Sequence, residues 1–133
     1  MNSPLLLLIL LALATGIGMR LKATQGRFKQ KKGLQISSSE IGTSLGQRAT
    51  VVQFSTSFCS SCRAAKVLIS DEVAKQSEIK YVEIDAESNL ELVRRLDIRS
   101  TPTTLFLDKK GFEIARAVGA PKRDQVIAAI NRL

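Results

Sequence analysis

The chain has 133 residues, a formal net charge of +8, two cysteines and no histidine. Without histidine a serine nucleophile lacks its activating base, and two cysteines cannot supply the four Cys or His ligands of a structural zinc site. The sequence also contains no phosphate-binding loop and no dinucleotide fingerprint, so we expect neither a metal nor a bound cofactor. The length suggests one domain with an amino-terminal appendage.

The amino-terminal segment is uncharged and apolar over residues 4–19. As a helix this stretch would rise about 24 Å, which is short of the roughly 30 Å hydrocarbon core of a bilayer. Arg20 and Lys22 can extend toward the lipid headgroups, so that a span remains feasible. We interpret residues 1–22 as a single-pass membrane anchor.

Two other interpretations of this segment stay open. A cleaved signal peptide is one, because Ala12-Leu13-Ala14 matches the small-x-small cleavage pattern, although the usual basic residues before the apolar run are missing. A buried core helix is the other, but a domain this small offers no interior for a helix that is apolar on all sides.

A basic run follows the apolar segment. It holds six of the 20 basic residues and no acidic residue: Arg20, Lys22, Arg27, Lys29, Lys31 and Lys32. No nucleic-acid-binding fold surrounds the run, whereas basic residues next to an apolar helix typically contact anionic headgroups. We interpret residues 23–33 as a juxtamembrane linker. The positive-inside bias places the following domain on the cytoplasmic side, with an extracytoplasmic domain as the alternative.

Residues 34–133 alternate between strand and helix patterns. Strands are predicted over residues 34–36, 49–55, 79–85, 103–107 and 112–118. Helices are predicted over residues 41–45, 59–76 and 90–96 and from residue 121 onward. Capping-box patterns begin at Ser37 and Ser88. This order predicts one α/β domain with a mixed sheet and helices on both faces.

Helical spacing also predicts which side chains face the core. The expected inward residues are Ala64, Ala65, Leu68, Ile69 and Val73 in the second of these helices, Leu90, Val93 and Leu96 in the third, and Val126, Ile130 and Leu133 in the last.

Both cysteines lie in Phe58-Cys59-Ser60-Ser61-Cys62, where a predicted strand gives way to a helix. The first thiol of such a C-x-x-C pair lies at the positive end of the helix dipole, which stabilises the thiolate. The second thiol lies one turn away on the same face, close enough to form a disulfide. The motif therefore indicates dithiol–disulfide chemistry. A purely structural disulfide and half of a shared zinc site are the alternatives.

Several segments of residues 34–133 resemble a thioredoxin domain. Val51-Val52-Gln53-Phe54 is similar to the family's central strand, and Phe58-Cys59-Ser60-Ser61-Cys62-Arg63 to its Trp-Cys-Gly-Pro-Cys-Lys motif. Val82-Glu83-Ile84-Asp85 resembles the next parallel strand, and Ser100-Thr101-Pro102-Thr103 resembles the cis-proline loop that faces the active site. Gly111 and Gly119 fall at the family's hairpin glycine and late glycine. The resemblance implies a thioredoxin-like fold.

The resemblance also implies roles for individual residues. Cys59 would attack a substrate disulfide and Cys62 would resolve the mixed disulfide. Substrate contacts are implied for Phe58, Thr101, Pro102 and Gly119, with the substrate docked as an extra strand beside Pro102.

Besides Phe58, Ser60 and Ser61 within the motif, two positions outside it depart from the family pattern. Gln53 occupies the position where the family often buries an aspartate behind the second cysteine, and Tyr81 occupies the position of a nearby lysine. An amide cannot titrate, so any proton relay to Cys62 must run through water or another group.

The sequence thus predicts a monomeric, membrane-anchored thiol–disulfide oxidoreductase. It would act on protein disulfides and exchange electrons with an upstream reductase or oxidase protein, since no cofactor site is present. The alternatives are an extracytoplasmic thioredoxin-like factor for envelope or apocytochrome thiols, and a non-catalytic binding module with a thioredoxin fold.

Overall fold

The computed structural model describes residues 3–24, 28–29 and 34–133. The helices are α1 (Ser3–Thr24), α2 (Ser38–Ile41), α3 (Ser60–Ala74), α4 (Leu90–Arg95) and α5 (Arg123–Ile130). The strands are β1 (Phe28–Lys29), β2 (Ala49–Ser55), β3 (Ile79–Asp85), β4 (Thr103–Asp108) and β5 (Glu113–Val118).

The strands form a mixed sheet in the order β1-β5-β4-β2-β3. Strands β2 and β3 are parallel, and the other three neighbouring pairs are antiparallel. Phe54 near the end of β2 pairs with Thr103 at the start of β4, and Thr103 pairs with Val118 at the end of β5. One end of the sheet therefore carries the last residues of β2, β3 and β5 together with the first residue of β4.

Each face of the sheet is covered by two helices. Val51 and Val52 alternate in β2, so they enter different hydrophobic clusters on opposite faces. One cluster packs Ile41 of α2 and Leu92 of α4 against the sheet, and the other packs Ile69 of α3 and Val126 and Ile130 of α5. Burying such an aliphatic side chain contributes about 1.5–3 kcal/mol. The predicted α/β architecture is confirmed.

The prediction of a first strand over residues 34–36 is wrong. Residues 34–36 make only an isolated bridge from Gln35 to Phe112, flanked by hydrogen bonds from the Ile36 and Glu113 amides. The strand at this edge is instead β1, which pairs with β5 and lies inside the segment interpreted as a linker. Residues 25–27 and 30–33 of that segment lie outside the described residues. Backbone pairing at a sheet edge leaves little hydrophobic signal, so the pattern could not reveal it.

Helix boundaries follow the local hydrogen bonds. The Ser37 capping box is confirmed, since its amide donates to Glu40 Oε2 at 2.8 Å, and α2 ends at Gly42 in the left-handed region at φ 71°. Helix α2 thus begins three residues before the predicted range of residues 41–45 and ends at its first residue. The capping box at Ser88 is wrong, because its hydroxyl donates to Asp85 Oδ2 at 2.6 Å and Asn89 is the residue before α4.

The burial predictions hold with two exceptions. Ala64 and Leu90 are exposed. Ala65 faces the sheet in α3, and Leu92 and Leu96 face it from α4, so their neighbours Ala64 and Leu90 are rotated away from the core.

Helix α1 is longer than the apolar run alone implied. Its 22 residues rise about 33 Å, enough to cross the hydrocarbon core. Residues 3–23 have a mean hydropathy of 2.1, and none of this span is buried. A membrane span and an amino-terminal signal sequence share these properties.

Candidate active site

Cys59 and Cys62 form a disulfide at the amino-terminal end of α3, with their α-carbons 5.1 Å apart. Cys59 is the residue that caps the helix, and its Sγ accepts a hydrogen bond from the Cys62 amide at 3.1 Å. Cys59 is partly exposed, whereas Cys62 is only 3% exposed. Of the two sulfurs, the one at the helix start is therefore the more accessible to a second protein and the better placed to carry negative charge.

The predicted proline loop lies directly beside this disulfide. The Thr101–Pro102 peptide bond is cis, and the carbonyl oxygen of Thr101 lies 3.9 Å from Cys59 Sγ. The amide of Gly119 donates to the Pro102 carbonyl at 2.8 Å, with Gly119 at φ 85°. The structure thus brings Thr101, Pro102 and Gly119 together next to Cys59, as the resemblance implied.

Phe58 precedes the first cysteine and is 99% exposed. A phenyl ring left entirely in water gains nothing for folding, because its apolar surface remains hydrated. Its position next to Cys59 makes it an apolar contact available to a partner.

Gln53 is fully buried behind the second cysteine. Its Nε2 donates to the Cys62 carbonyl at 2.9 Å, and its Oε1 accepts from the Tyr81 hydroxyl at 2.8 Å. Burial, and secondarily the charge of Glu83, raises the pKa of the Tyr81 phenol far above its usual range. The two substituted positions therefore form one neutral hydrogen-bonded pair rather than a titrating one.

A groove of about 340 Å³ opens beside the cysteines. It is lined by Ser55, Thr56, Ser57, Cys59, Cys62, Arg63, Lys66, Glu83 and Asp85. Lys66 Nζ lies 2.8 Å from Glu83 Oε2, and the Ser55 hydroxyl donates to Glu83 Oε1 at 3.0 Å. The hydrogen bond from Lys66, followed by that from Ser55, lowers the Glu83 pKa against the opposing effect of burial.

Sequence reasoning did not single out Ser55, Lys66 or Glu83. A signal for two of them was present, because Glu83 shares a strand face with Tyr81, and Lys66 follows Cys62 by one helical turn. What the pattern lacked was the pairing of β2 with β3, which sets Gln53 opposite Glu83.

Comparison with known proteins agrees with this geometry. A family model described as a thioredoxin-like domain matches residues 43–133. Thioredoxin H5 of Oryza sativa is 35% identical over 77 residues, which cover 58% of this chain and 56% of the rice protein. Thioredoxin H2 of Arabidopsis thaliana is 27% identical over 107 residues, covering 80% of this chain and 77% of that protein.

Among solved structures, the thioredoxin NaTrxh of Nicotiana alata superimposes with a TM-score of 0.58 at 28% identity. The superposition covers 65% of this chain and 73% of that one. The family model spans more than half of the chain and contains the cysteine pair and the cis-proline loop. The chain therefore belongs to the thioredoxin-like family, and its site is a thioredoxin-like cysteine pair at disulfide distance.

Proposed function

We propose that this protein is a membrane-anchored thiol–disulfide oxidoreductase that reduces or exchanges disulfides in other proteins. The observation that carries the proposal is the asymmetry of the pair. Cys59 caps α3, is partly exposed and lies 3.9 Å from the Thr101 carbonyl, whereas Cys62 is buried behind it.

The asymmetry divides the reaction into two displacement steps. The Cys59 thiolate attacks one sulfur of the substrate disulfide, forms a mixed disulfide and expels the other substrate sulfur as a thiolate. Cys62 then loses its proton and attacks Cys59 Sγ, which closes the intramolecular disulfide and releases the second substrate thiol. Two electrons pass from the dithiol to the substrate, and an upstream protein reductase restores the dithiol. The reverse sequence oxidises a substrate.

Substrate docking uses the surface beside Cys59. The backbone of Thr101 and the cis-Pro102 offer an edge for an extended substrate segment, and the Gly119 amide holds the Pro102 carbonyl beside this edge. Phe58, which precedes the cysteine and is exposed, adds an apolar contact for the substrate. A single chain carries all of these groups, so we expect a monomer to be active.

The anchor is the amino-terminal helix. Residues 1–22 span the membrane in this proposal, residues 23–33 connect them to the thioredoxin-like domain of residues 34–133, and the basic residues of the connection favour a cytoplasmic domain. In that compartment cellular reductants hold the pair reduced, which favours the reductase direction.

The test is to trap substrates with two single-cysteine variants of the full chain. Cys62→Ser leaves the attacking thiol without its resolving partner, so it accumulates mixed disulfides, whereas Cys59→Ser accumulates none. Equal trapping by the two variants contradicts the assignment of roles. Failure of the reduced wild-type protein to reduce insulin disulfides overturns the oxidoreductase itself.

A further inference from the structure

The strand that follows α1 enters the sheet at the catalytic end. Phe28 pairs with Ala117 and Lys29 with Arg116 in an antiparallel register, so the first residue of β1 lies beside the last residues of β5. Two residues beyond Ala117, the Gly119 amide donates to the Pro102 carbonyl at 2.8 Å. The chain therefore arrives from α1 at the end of the sheet that carries the cysteines and the proline loop.

The distance from α1 to this end is bounded by the chain itself. Helix α1 ends at Thr24, and the four peptide units to Phe28 reach at most about 15 Å. Strand β1 is three strands from β2, which adds roughly 14 Å at the usual strand spacing. The end of β2 therefore lies within roughly 30 Å of the carboxyl end of α1, and Cys59 follows four residues later at the same end of the sheet.

The opposite end of the sheet is farther from the anchor. The turn between β4 and β5, which contains Lys109, lies one strand length, or roughly 20 Å, beyond the catalytic end. If the chain from α1 joined the sheet at this turn, the cysteines would lie at the end of the domain away from the membrane. Because the chain joins at the catalytic end, the turn lies away from the membrane instead.

We infer that the catalytic end of the domain faces the membrane, and that the substrates are disulfides in membrane-proximal segments of membrane proteins. The inference rests on the proposed function and on α1 as the anchor. Phe58, 99% exposed beside Cys59, suits the apolar residues that flank transmembrane segments. The short tether raises the effective concentration of the dithiol near the bilayer surface and lowers it for disulfides held far above it.

Orientation can be measured without any activity. In a Cys59→Ser/Cys62→Ser background of the full chain in liposomes, a donor dye is attached through Ser57→Cys at the catalytic end or through Lys109→Cys at the opposite turn. Energy transfer to a headgroup acceptor is expected to be stronger from position 57. A flexible insertion of about 20 Gly and Ser residues between residues 25 and 26 should abolish the difference. Equal or reversed transfer without the insertion overturns the inference.

The substrate class is tested with one disulfide-closed peptide in three settings, with a small dithiol as the electron source. It is anchored near the bilayer, anchored above a rigid spacer of roughly 60 Å, or free in solution. We expect the wild type to reduce the near peptide about tenfold faster than the distant peptide. The insertion variant should reduce the near and distant peptides at similar rates. Equal wild-type rates on the near and distant peptides overturn the inference.

Reduction of the free peptide distinguishes a failure of this inference from a failure of the proposed function. Its reduction by both proteins at the same rate shows that the insertion leaves the dithiol chemistry intact. If no peptide is reduced in any setting, the proposed function fails, while the energy-transfer measurement still decides the orientation.

Discussion

The side-chain amide of Gln53 donates a hydrogen bond to the carbonyl oxygen of Cys62 at 2.9 Å, and its own oxygen is held by the Tyr81 hydroxyl at 2.8 Å. A neutral pair, with Gln53 fully buried and Tyr81 partly buried, thus braces the first turn of α3 at the position where the resemblance implied a titrating carboxylate. The bracing fixes the backbone of Cys62, but it offers no group that accepts a proton from its thiol at neutral pH.

Substitutions of Gln53 can therefore distinguish its structural role in holding the Cys62 backbone from proton transfer to or from the Cys62 thiol. Gln53→Asp introduces a carboxylate, which we expect to speed insulin reduction near neutral pH by helping Cys62 lose its proton. The shorter side chain also loses buried hydrogen bonds, which should lower the free energy of unfolding by about 1–3 kcal/mol.

Gln53→Asn is the matched control, since it has the same length as Asp and carries no charge. Turnover that rises in the Asp variant but not in the Asn variant supports the carboxylate effect. Identical turnover in two folded variants would mean that another group already serves Cys62.

The pairing of Glu83 with Lys66 predicts a pH-dependent stability. The pKa of Glu83 is lowered from its ordinary value of 4.5, so the folded state favours the ionised carboxyl. This contribution is fully present above pH 4.5 and disappears as the pH falls through the lowered pKa. We expect Glu83→Gln to be less stable than the wild type at neutral pH, with the difference shrinking on acidification.

Urea denaturation at a series of pH values measures this difference. Glu78→Gln is the control, because it removes the same charge from an exposed position outside the groove. A Glu83→Gln difference that stays constant down to the acid limit, or that matches the control at every pH, would contradict the role of the Lys66 pair.

Two kinds of feature could be predicted from the sequence: strands and helices that have a clear hydrophobic pattern, and site residues that belong to a recognisable motif. The apolar run of Val51, Val52 and Phe54 predicted β2, and the C-x-x-C pair with Thr101 and Pro102 predicted the cysteine site and the loop beside it. These features are encoded by residues close together in the chain or by a characteristic motif.

Features set by contacts between distant residues were not predictable. The register of β2 and β3 sets Gln53 beside Glu83, and the bridge at Gln35 depends on its partner Phe112. The Ser88 hydroxyl donates to the carboxylate of Asp85, and Asn89 rather than Ser88 is the residue before α4.

A buried ion pair between β5 residues predicts a large loss of stability when only one partner is removed. The Arg116 guanidinium donates to both Glu113 oxygens, at 2.7 Å for Oε2, and its third nitrogen donates to the Leu96 carbonyl at 3.0 Å. Both side chains are almost fully buried. We expect Glu113→Gln to lower the free energy of unfolding by about 3–5 kcal/mol, because it leaves a buried charge uncompensated.

The double variant Glu113→Leu/Arg116→Met is the control that distinguishes an unpaired buried charge from a loss of packing. It removes both charges and retains apolar volume, so it should lose less stability in urea than Glu113→Gln. If the double variant were less stable than Glu113→Gln, the attraction between Glu113 and Arg116 would contribute more to stability than the desolvation of the two charges costs.

Thr104 offers the opposite case, a buried hydroxyl for which no hydrogen-bond partner is found within residues 3–24, 28–29 and 34–133. Valine has the same shape without the polar atom. We expect Thr104→Val to raise the free energy of unfolding by about 1 kcal/mol, measured by urea denaturation. Thr103→Val is the control, since the Thr103 hydroxyl donates to the Ser100 carbonyl at 2.7 Å and its removal should destabilise. A loss of stability in Thr104→Val would contradict the prediction.

Topology decides which thiols the protein serves. The basic residues after α1 favour a cytoplasmic domain, so a membrane-impermeant maleimide applied to intact cells after mild reduction should leave Cys59 unlabelled until the cells are lysed. Lys109→Cys in a Cys59→Ser/Cys62→Ser background is the control, because this exposed turn lies at the end of the sheet away from the cysteines and needs no reduction. Strong labelling of both positions without lysis would place the domain outside, where the dithiol would act on envelope disulfides with electrons delivered across the membrane.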